Sequence, residues 1–405
     1  MKRVLIRRVD NLGDILIFIP ALKILRKHFC SDHLTLMVKQ SHHALVKEYA
    51  DAFEEPATIE DFKLLSDQYD HIINVEYSSP VDYIIPDGEL PSEIHFGNPR
   101  GNKMKLHMAR SICKNIYSHG IKGRFSNPKF LPDQEALRAA KEWLDKRNLT
   151  SSKLVISVDP NSGFDKKCWN LKGFISVCRY LIQELNATVI IPAVNENDTR
   201  ALEILANFPE GGCHILGGYS IDIVAAIINN CDLHIGNDSG IGHLAAAVNV
   251  PVVIIFGPTD PYYWKPLTNK IVIVRKKDSE CPGGYDHAKT CLLQTCLTEI
   301  SVNDVIDGIL MAFSNYIEDE KLLSVIQLKV SENISIKKTS KGYLLANKLT
   351  NHSCLIQKGW REVKQVLSEV ENTNATTSML DKKNEIRPLV DFLVMHRVLE
   401  LKPIL

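Results

Sequence analysis

Short apolar runs recur along the chain as far as about residue 313, each followed by a polar turn and then by a segment whose apolar residues fall three or four apart. Runs of that kind are buried parallel strands, and the spaced segments are amphipathic helices, so the alternation predicts an α/β protein with parallel sheets. In the first unit, residues 4–8, 34–38 and 71–75 read as strands. Residues 15–29 read as a helix with Phe18, Leu22 and Leu25 on its apolar face, and Pro20 is expected to bend it or to begin its regular part. Residues 105–117 form a second predicted helix, carrying Lys105, Arg110 and Lys114. Between them, the Pro- and Gly-rich stretch 76–104 is expected to be loops.

A second unit follows Pro128, Pro132 and a predicted helix at 134–147. Its strands are expected at 154–158, 188–192, 214–216, 233–236 and 252–256, separated by helices at 171–185, 198–206, 221–230 and 241–248. The pattern divides the chain into a doubly wound domain at 1–150, a second at 151–315 and a C-terminal extension at 316–405. In the extension, residues 360–370 have helical apolar spacing, 372–377 are polar, and 389–405 are apolar. The extension is therefore expected to be partly helical and packed on the body, with an oligomer contact or a membrane contact as the alternatives.

A length of 405 residues fits at least two cores. With 48 basic and 48 acidic residues the formal net charge is zero, which argues against a general nucleic-acid binder. No apolar run reaches the roughly 18 residues that span a bilayer. The 10 cysteines are scattered and lack the spacing of a disulfide framework, as expected of a protein of the reducing cytoplasm.

Ligands of doubly wound sheets bind beyond the carboxyl ends of the strands, so the loops there carry the candidate chemistry. After the first strand comes Arg8-Val9-Asp10-Asn11-Leu12-Gly13-Asp14, where Asp14 is either a helix N-cap or a carboxylate facing a cleft. After residues 154–158 comes a loop from Asp159 to Trp169 that contains Ser162 and Lys167; Lys167 is either a phosphate-binding ammonium or a solvated lysine. The third loop, Gly236-Asn237-Asp238-Ser239-Gly240-Ile241-Gly242-His243, opens a helix of Ala and Leu and offers free amides and a positive dipole end to a pyrophosphate, or is an ordinary helix start.

Together these motifs, with Lys167-Cys168-Trp169 and Gly257-Pro258-Thr259-Asp260-Pro261, resemble glycosyltransferase family 9, the lipopolysaccharide heptosyltransferases and their relatives. The resemblance covers residues 3 to about 313. It implies a GT-B fold, in which two Rossmann-like domains face each other across a cleft, the first holding the acceptor and the second the nucleotide-sugar donor. It further implies a cytoplasmic inverting enzyme, with peripheral contact with the inner membrane as an option, transferring heptose from ADP-heptose to a lipid-linked lipopolysaccharide-core acceptor without a metal or cofactor. Asp14 takes the position of the general base. Lys167 and the helix start at Ser239, Gly240 and Ile241 take those of the diphosphate-binding groups. By the same correspondence Ser162 and His243 fall at phosphate, Asp238 at sugar hydroxyls, Tyr219 at the base pocket and Glu196 at the ribose, with an exposed helix-start acid as the rival for Glu196.

Arg100, Lys103 and Lys105 are candidates for the anionic acceptor, against a solvated helix face. Departures from the pattern are Asp159-Pro160-Asn161, where many members have His-Pro-Gly, and Cys281, Cys291 and Cys296 with His287, whose spacing fits no standard zinc site. Another nucleotide-sugar donor, an epimerase of the same fold and a non-catalytic assembly module are the remaining alternatives.

Overall fold

The computed structural model describes residues 1–55, 68–75, 106–150, 154–209, 211–276, 291 and 294–317, and the backbone of five strands between 326 and 403. The first unit is a parallel four-stranded sheet in the order β3-β2-β1-β4, formed by β1 (Arg3–Arg7), β2 (His33–Met37), β3 (Ala52–Glu54) and β4 (His71–Asn74). Central β1 reads Arg-Val-Leu-Ile-Arg, and its Val4, Leu5 and Ile6 are fully buried, as a strand covered on both faces requires.

Helix α1 (Leu12–His28) follows β1 directly. It begins earlier than the apolar spacing suggests, because Asn11 is its N-cap and Asp14 is the third helical residue, reaching back to the Asn11 N–H. Asp14 is thus not the N-cap, and buried Pro20 lies inside the helix, nine-tenths of whose central turns are apolar and covered, so packing outweighs the single hydrogen bond it lacks. Helix α2 (Met108–Ser118) starts later than expected because His107 is its cap: its Nδ1 accepts the Ala109 N–H at 3.2 Å.

The second unit is a six-stranded parallel sheet in the order β10-β9-β8-β5-β6-β7. Its strands are β5 (Val155–Asp159), β6 (Thr188–Ala193), β7 (Cys213–Gly217), β8 (Leu233–Asn237), β9 (Val252–Ile255) and β10 (Ile271–Val274). This is the dinucleotide-fold order read from the far edge, and the sequence direction reverses between β5 and β8. The crossovers are α4 (Leu171–Arg179), α5 (Thr199–Leu205), α6 (Ile221–Ile228) and α7 (Gly240–Ala247), and α8 (Val302–Tyr316) packs against the β9–β10 side. The predicted helix 171–185 changes to a wider π turn at Tyr180–Glu184.

One apolar cluster runs through both units. Helix α3 (Gln134–Asp145) lies on α6, and α1 lies on α7, so Leu22, Ala140, Ala226 and Leu244 belong to the same core. A second cluster fills the other face of the larger sheet around Trp169, Phe174 and Phe313.

The described parts of the extension are strands: β11 (Ile326–Val330) pairs with β15 (Leu399–Pro403), and β12 (Ile334–Thr339), β13 (Gly342–Asn347) and β14 (Ser353–Ile356) form an antiparallel meander. Their Lys-, Ile- and Leu-bearing alternation has period two, a signal weaker than the helical apolar spacing read at 360–370. The predicted helix at 360–370 lies outside the described residues.

Candidate active site

Both sheets place their reversal points at the same junction. Loop β1–α1 of the first unit meets the loops after β5 and β8 of the second, and the glycines make the approach possible. A Cβ on Gly240 would come within 2.8 Å of the Leu12 Cβ, and one on Gly13 within 3.3 Å of the His243 ring. The N-termini of α1 and α7 therefore face each other at close range.

From the first unit, Arg8 is fully buried and fans out from the end of β1. Its Nη1 donates to the Val75 carbonyl at 2.9 Å and lies 3.0 Å from Asp10, while Nη2 lies 3.5 Å from Asp14 Oδ1. The other Asp14 oxygen accepts the Asn11 N–H at 3.3 Å. Burial raises the Asp14 carboxyl above the ordinary value; the Arg8 cation, the Asn11 amide and the Lys167 cation oppose the rise, and the Asp238 charge adds to it. Asp14 thus senses two charges on the opposite unit.

From the second unit, Lys167 closes a single turn (Asp165–Lys167), and its Nζ donates to Asp238 Oδ2 at 2.9 Å. The Thr259 hydroxyl donates to the same oxygen at 2.7 Å, and the Ser162 hydroxyl to the Asp238 carbonyl at 2.9 Å. Behind them, buried Asn237 donates to the Pro160 carbonyl at 2.8 Å and accepts the Trp169 N–H at 2.9 Å. One asparagine side chain thereby ties the end of β8 to both ends of the loop after β5. Asp159, also buried, is held by Ser239 and by the Asn161 amide, and its burial pushes the carboxyl up to about 6.

Two histidines tie the units to one turn. His107 Nε2 donates to the Lys265 carbonyl at 2.8 Å, its other nitrogen being an acceptor, and burial pushes it down to about 4. His243 is buried against Asp238 and His107, bonds to the Trp264 main chain, and is likewise pushed down to about 4 by burial. Both rings are neutral near pH 7, so neither offers an anion a cation.

The structure thus brings together Asp14, Ser162, Lys167, Asp238, Ser239, Gly240, Ile241 and His243. Glu196 and Tyr219 lie to one side, on exposed loops beyond β6 and β7, linked where the Gly218 N–H donates to the Val194 carbonyl at 3.2 Å. Glu196 precedes the α5 cap, Asp198, and is outside the helix's first turn. Arg100, Lys103, Lys105, Cys281 and His287 lie outside the described residues, and Cys291 and Cys296 are free thiols. Among the described residues, no three His, Cys, Asp or Glu side chains are grouped to hold a metal.

Arg8, His107, Asn237 and Thr259 were not singled out from the sequence. A buried arginine immediately after an apolar strand and before two aspartates was a usable signal for Arg8. His107 and Thr259 act through chain segments far away in sequence, which local patterns do not reveal.

Comparison with known proteins fits this geometry. Residues 107–294 match the profile of "Glycosyltransferase family 9 (heptosyltransferase)". Lipooligosaccharide heptosyltransferase 2 of Haemophilus influenzae is 39% identical over 67 residues, 16% of this chain and 19% of that protein, so this match spans about a fifth of the relative. Lipopolysaccharide heptosyltransferase 3 of Escherichia coli is 22% identical over 301 residues, covering 64% of this chain and 84% of that one. Among solved structures, the glycosyl transferase family 9 protein from Veillonella parvula superposes with a TM-score of 0.63 at 19% identity, over 77% of this chain and 97% of that one. The E. coli ADP-heptose LPS heptosyltransferase II superposes with a TM-score of 0.57 at 18% identity, over 77% and 98%. The architecture is GT-B, and residues 107–294 are similar to glycosyltransferase family 9.

Proposed function

We propose that this protein is an inverting, metal-independent glycosyltransferase that moves a heptose from ADP-heptose to a lipopolysaccharide-core-type acceptor. The observation that carries the reading is the meeting of Asp14, from the first unit, with the Lys167–Asp238 pair and the α7 N-terminus, from the second. The names of the relatives support the donor and the class of acceptor.

Asp14 takes the proton of the acceptor hydroxyl, whose oxygen attacks the anomeric carbon from the face opposite the diphosphate. The bond to the diphosphate oxygen breaks with its electron pair, and the configuration inverts in this single displacement. A carboxylate raised by burial is a better base than an exposed one, while the Arg8 cation holds back part of that rise. Charge on the departing diphosphate is met by Lys167 and by the amides opening α7. Asp238 holds Lys167 through Oδ2 and presents its carboxylate to the sugar hydroxyls, with Ser162 and His243 completing the phosphate side. Glu196 and Tyr219 line the ribose and base end, where the strand order carries the sheet onward through β6 and β7.

The first unit and the segment around Arg100, Lys103 and Lys105 bind the anionic, lipid-linked acceptor. That acceptor brings the enzyme to the inner-membrane surface from the cytoplasm; among the described residues, no helix is long and apolar enough to cross a membrane.

The test is transfer from ADP-heptose to a heptose-acceptor lipopolysaccharide core in EDTA, with product anomer read by NMR and UDP-N-acetylglucosamine as the comparison donor. Metal-free transfer with inversion is expected. Turnover of the UDP-sugar alone sinks the donor, and retention of configuration sinks the single displacement.

A further inference from the structure

Asp159 ends β5 at the reversal point, with a side chain buried beneath the donor loops. Its register partner on β8 is Gly236, where a Cβ would lie 3.1 Å from the Asp159 Cβ, so the glycine makes room for the carboxylate. Oδ1 accepts the Asn161 N–H at 3.0 Å, and Oδ2 accepts the Ser239 hydroxyl at 2.7 Å.

The second bond matters for what it prevents. Ser239 is the N-cap of α7 and has the extended backbone of a capping serine, with φ −140° and ψ 167°. Serine is among the best capping residues because its oxygen accepts a first-turn N–H, and the first four N–H groups of a helix have no acceptor within it. Yet the Ser239 side chain makes no cap bond to α7; its hydroxyl is turned to Asp159. In the same unit Asn170 caps α4, Asp198 caps α5 and Asp260 caps its own turn, whereas Ser220 at the start of α6, like Ser239, makes no side-chain cap bond; what sets Ser239 apart is that its hydroxyl is held by a buried carboxylate.

We propose that Asp159 is a positioning residue for the donor: by holding the Ser239 hydroxyl, it withholds the cap of α7 and leaves the amides of Ile241 and Gly242 open to a diphosphate. The inference rests on reading the α7 N-terminus as the diphosphate site. The arrangement is costly, since burial disfavours the ionised carboxylate and Asp198 adds to the penalty, with Arg200, Ser239 and the Asn161 amide offsetting part of it. A residue with only a packing role at this strand end has no need of a charge.

Two readouts on wild type, Asp159→Ala, Asp159→Asn and Asp159→Ala/Ser239→Ala separate the inference from the reading beneath it. The first is amide hydrogen exchange of Ile241 and Gly242 without ligand; the second is calorimetric titration with ADP. In Asp159→Ala the released hydroxyl caps α7, so exchange slows several-fold and ADP binds about five- to tenfold more weakly, the worth of one cap. Removing that hydroxyl in the double variant restores fast exchange and recovers most of the lost affinity, as does Asp159→Asn, whose amide still holds Ser239. A double variant that binds ADP no better than Asp159→Ala overturns the inference, as does unchanged exchange in Asp159→Ala. Wild type that fails to bind ADP overturns the reading of the site, and the exchange rates still decide whether Asp159 withholds the cap. If Asp159→Ala does not fold, Asp159→Ser, too short to reach Ser239, takes its place with the same expected outcomes.

Discussion

Two carboxylates near the junction, Asp14 and Asp159, have different environments, and each predicts a behaviour. Asp14 is raised by burial but faces Arg8 and Lys167, so the acid limb of kcat/KM should lie above the ordinary carboxylate range. Asp14→Asn is expected to lower kcat by about 10²–10⁴ while ADP still binds, the span of one lost general base; transfer at the wild-type rate would remove Asp14 from the mechanism. Arg8→Gln takes away the largest influence lowering Asp14, and the acid limb should then move to higher pH, a shift that simple loss of packing does not produce. Asp159, also raised by burial, bears on stability. Its folded-state value of about 6 exceeds the ordinary carboxylate value of 3.8, so the native protein binds the extra proton and stability falls as pH rises across that window. Above the window the ionised carboxylate carries its full penalty, so Asp159→Asn should raise Tm at pH 8, with the gain shrinking toward pH 5. Equal gains at both pH values would mean that charge is not the cause. At this scale the sequence was most legible where short motifs carry the candidate residues, as with Asp14, Lys167 and Asp238, which the fold brings together. It was silent on the partners, because the Lys167–Asp238 bond joins residues 71 apart and the His107–Lys265 bond residues 158 apart.

Among the elements, the turn and helix that follow β5 show how packing overrides local preference. Trp169 is 1% exposed, its Nε1–H donates to the Ile300 carbonyl at 2.9 Å, and its ring meets Phe174 edge-on. The indole lies against Gly173 in the first turn of α4, where a Cβ would sit 2.4 Å from its Cη2. Helix propensity alone says that Gly173→Ala gains about 1 kcal/mol. The clash against a rigid buried ring costs about 1–3 kcal/mol, so the net change should be destabilising. Denaturant unfolding checks the sign, and a stabilised variant would show that Trp169 can yield. The same contest explains which elements were legible. The strands β5 to β9 were found within a residue or two, because a parallel strand buried on both faces is a continuous apolar run. Helix starts at Leu12 and Met108 were misplaced because polar caps, Asn11 and His107, decide them, and caps leave no hydrophobic period. The extension's strands were missed for a related reason: short antiparallel ribbons carry an alternation weaker than the helical apolar spacing read at 360–370.

For the whole molecule, the alternation of apolar runs was enough to reveal two doubly wound units, but not how closely they meet. A cleft was expected between them; to one side of it α1 on α7 and α3 on α6 make one continuous apolar seam. That seam sets the distance between Asp14 on one unit and Lys167 and the α7 N-terminus on the other, and Gly240 is a close contact within it. A Cβ there would meet Leu12 Cβ at 2.8 Å, Leu12 Cγ at 3.0 Å and the Gly13 main-chain nitrogen at 3.1 Å. Leu12 can turn only partly, because it opens α1 against the shared core, and the Gly13 backbone cannot turn at all. Gly240→Ala must therefore push the first turns of α1 and α7 apart by some tenths of an ångström, carrying Asp14 away from Lys167. Displacements of about 1 Å at a reacting centre cost about 10²-fold in rate, so kcat for transfer should fall about tenfold or more. Thermal stability should change much less, since alanine is itself a better helix former than glycine and offsets part of the strain. Steady-state transfer kinetics beside a melting curve test this: a rate that falls only in proportion to Tm would mean that the Gly240 contact serves folding alone, whereas a slow but stable enzyme ties the rate to the spacing of the two units.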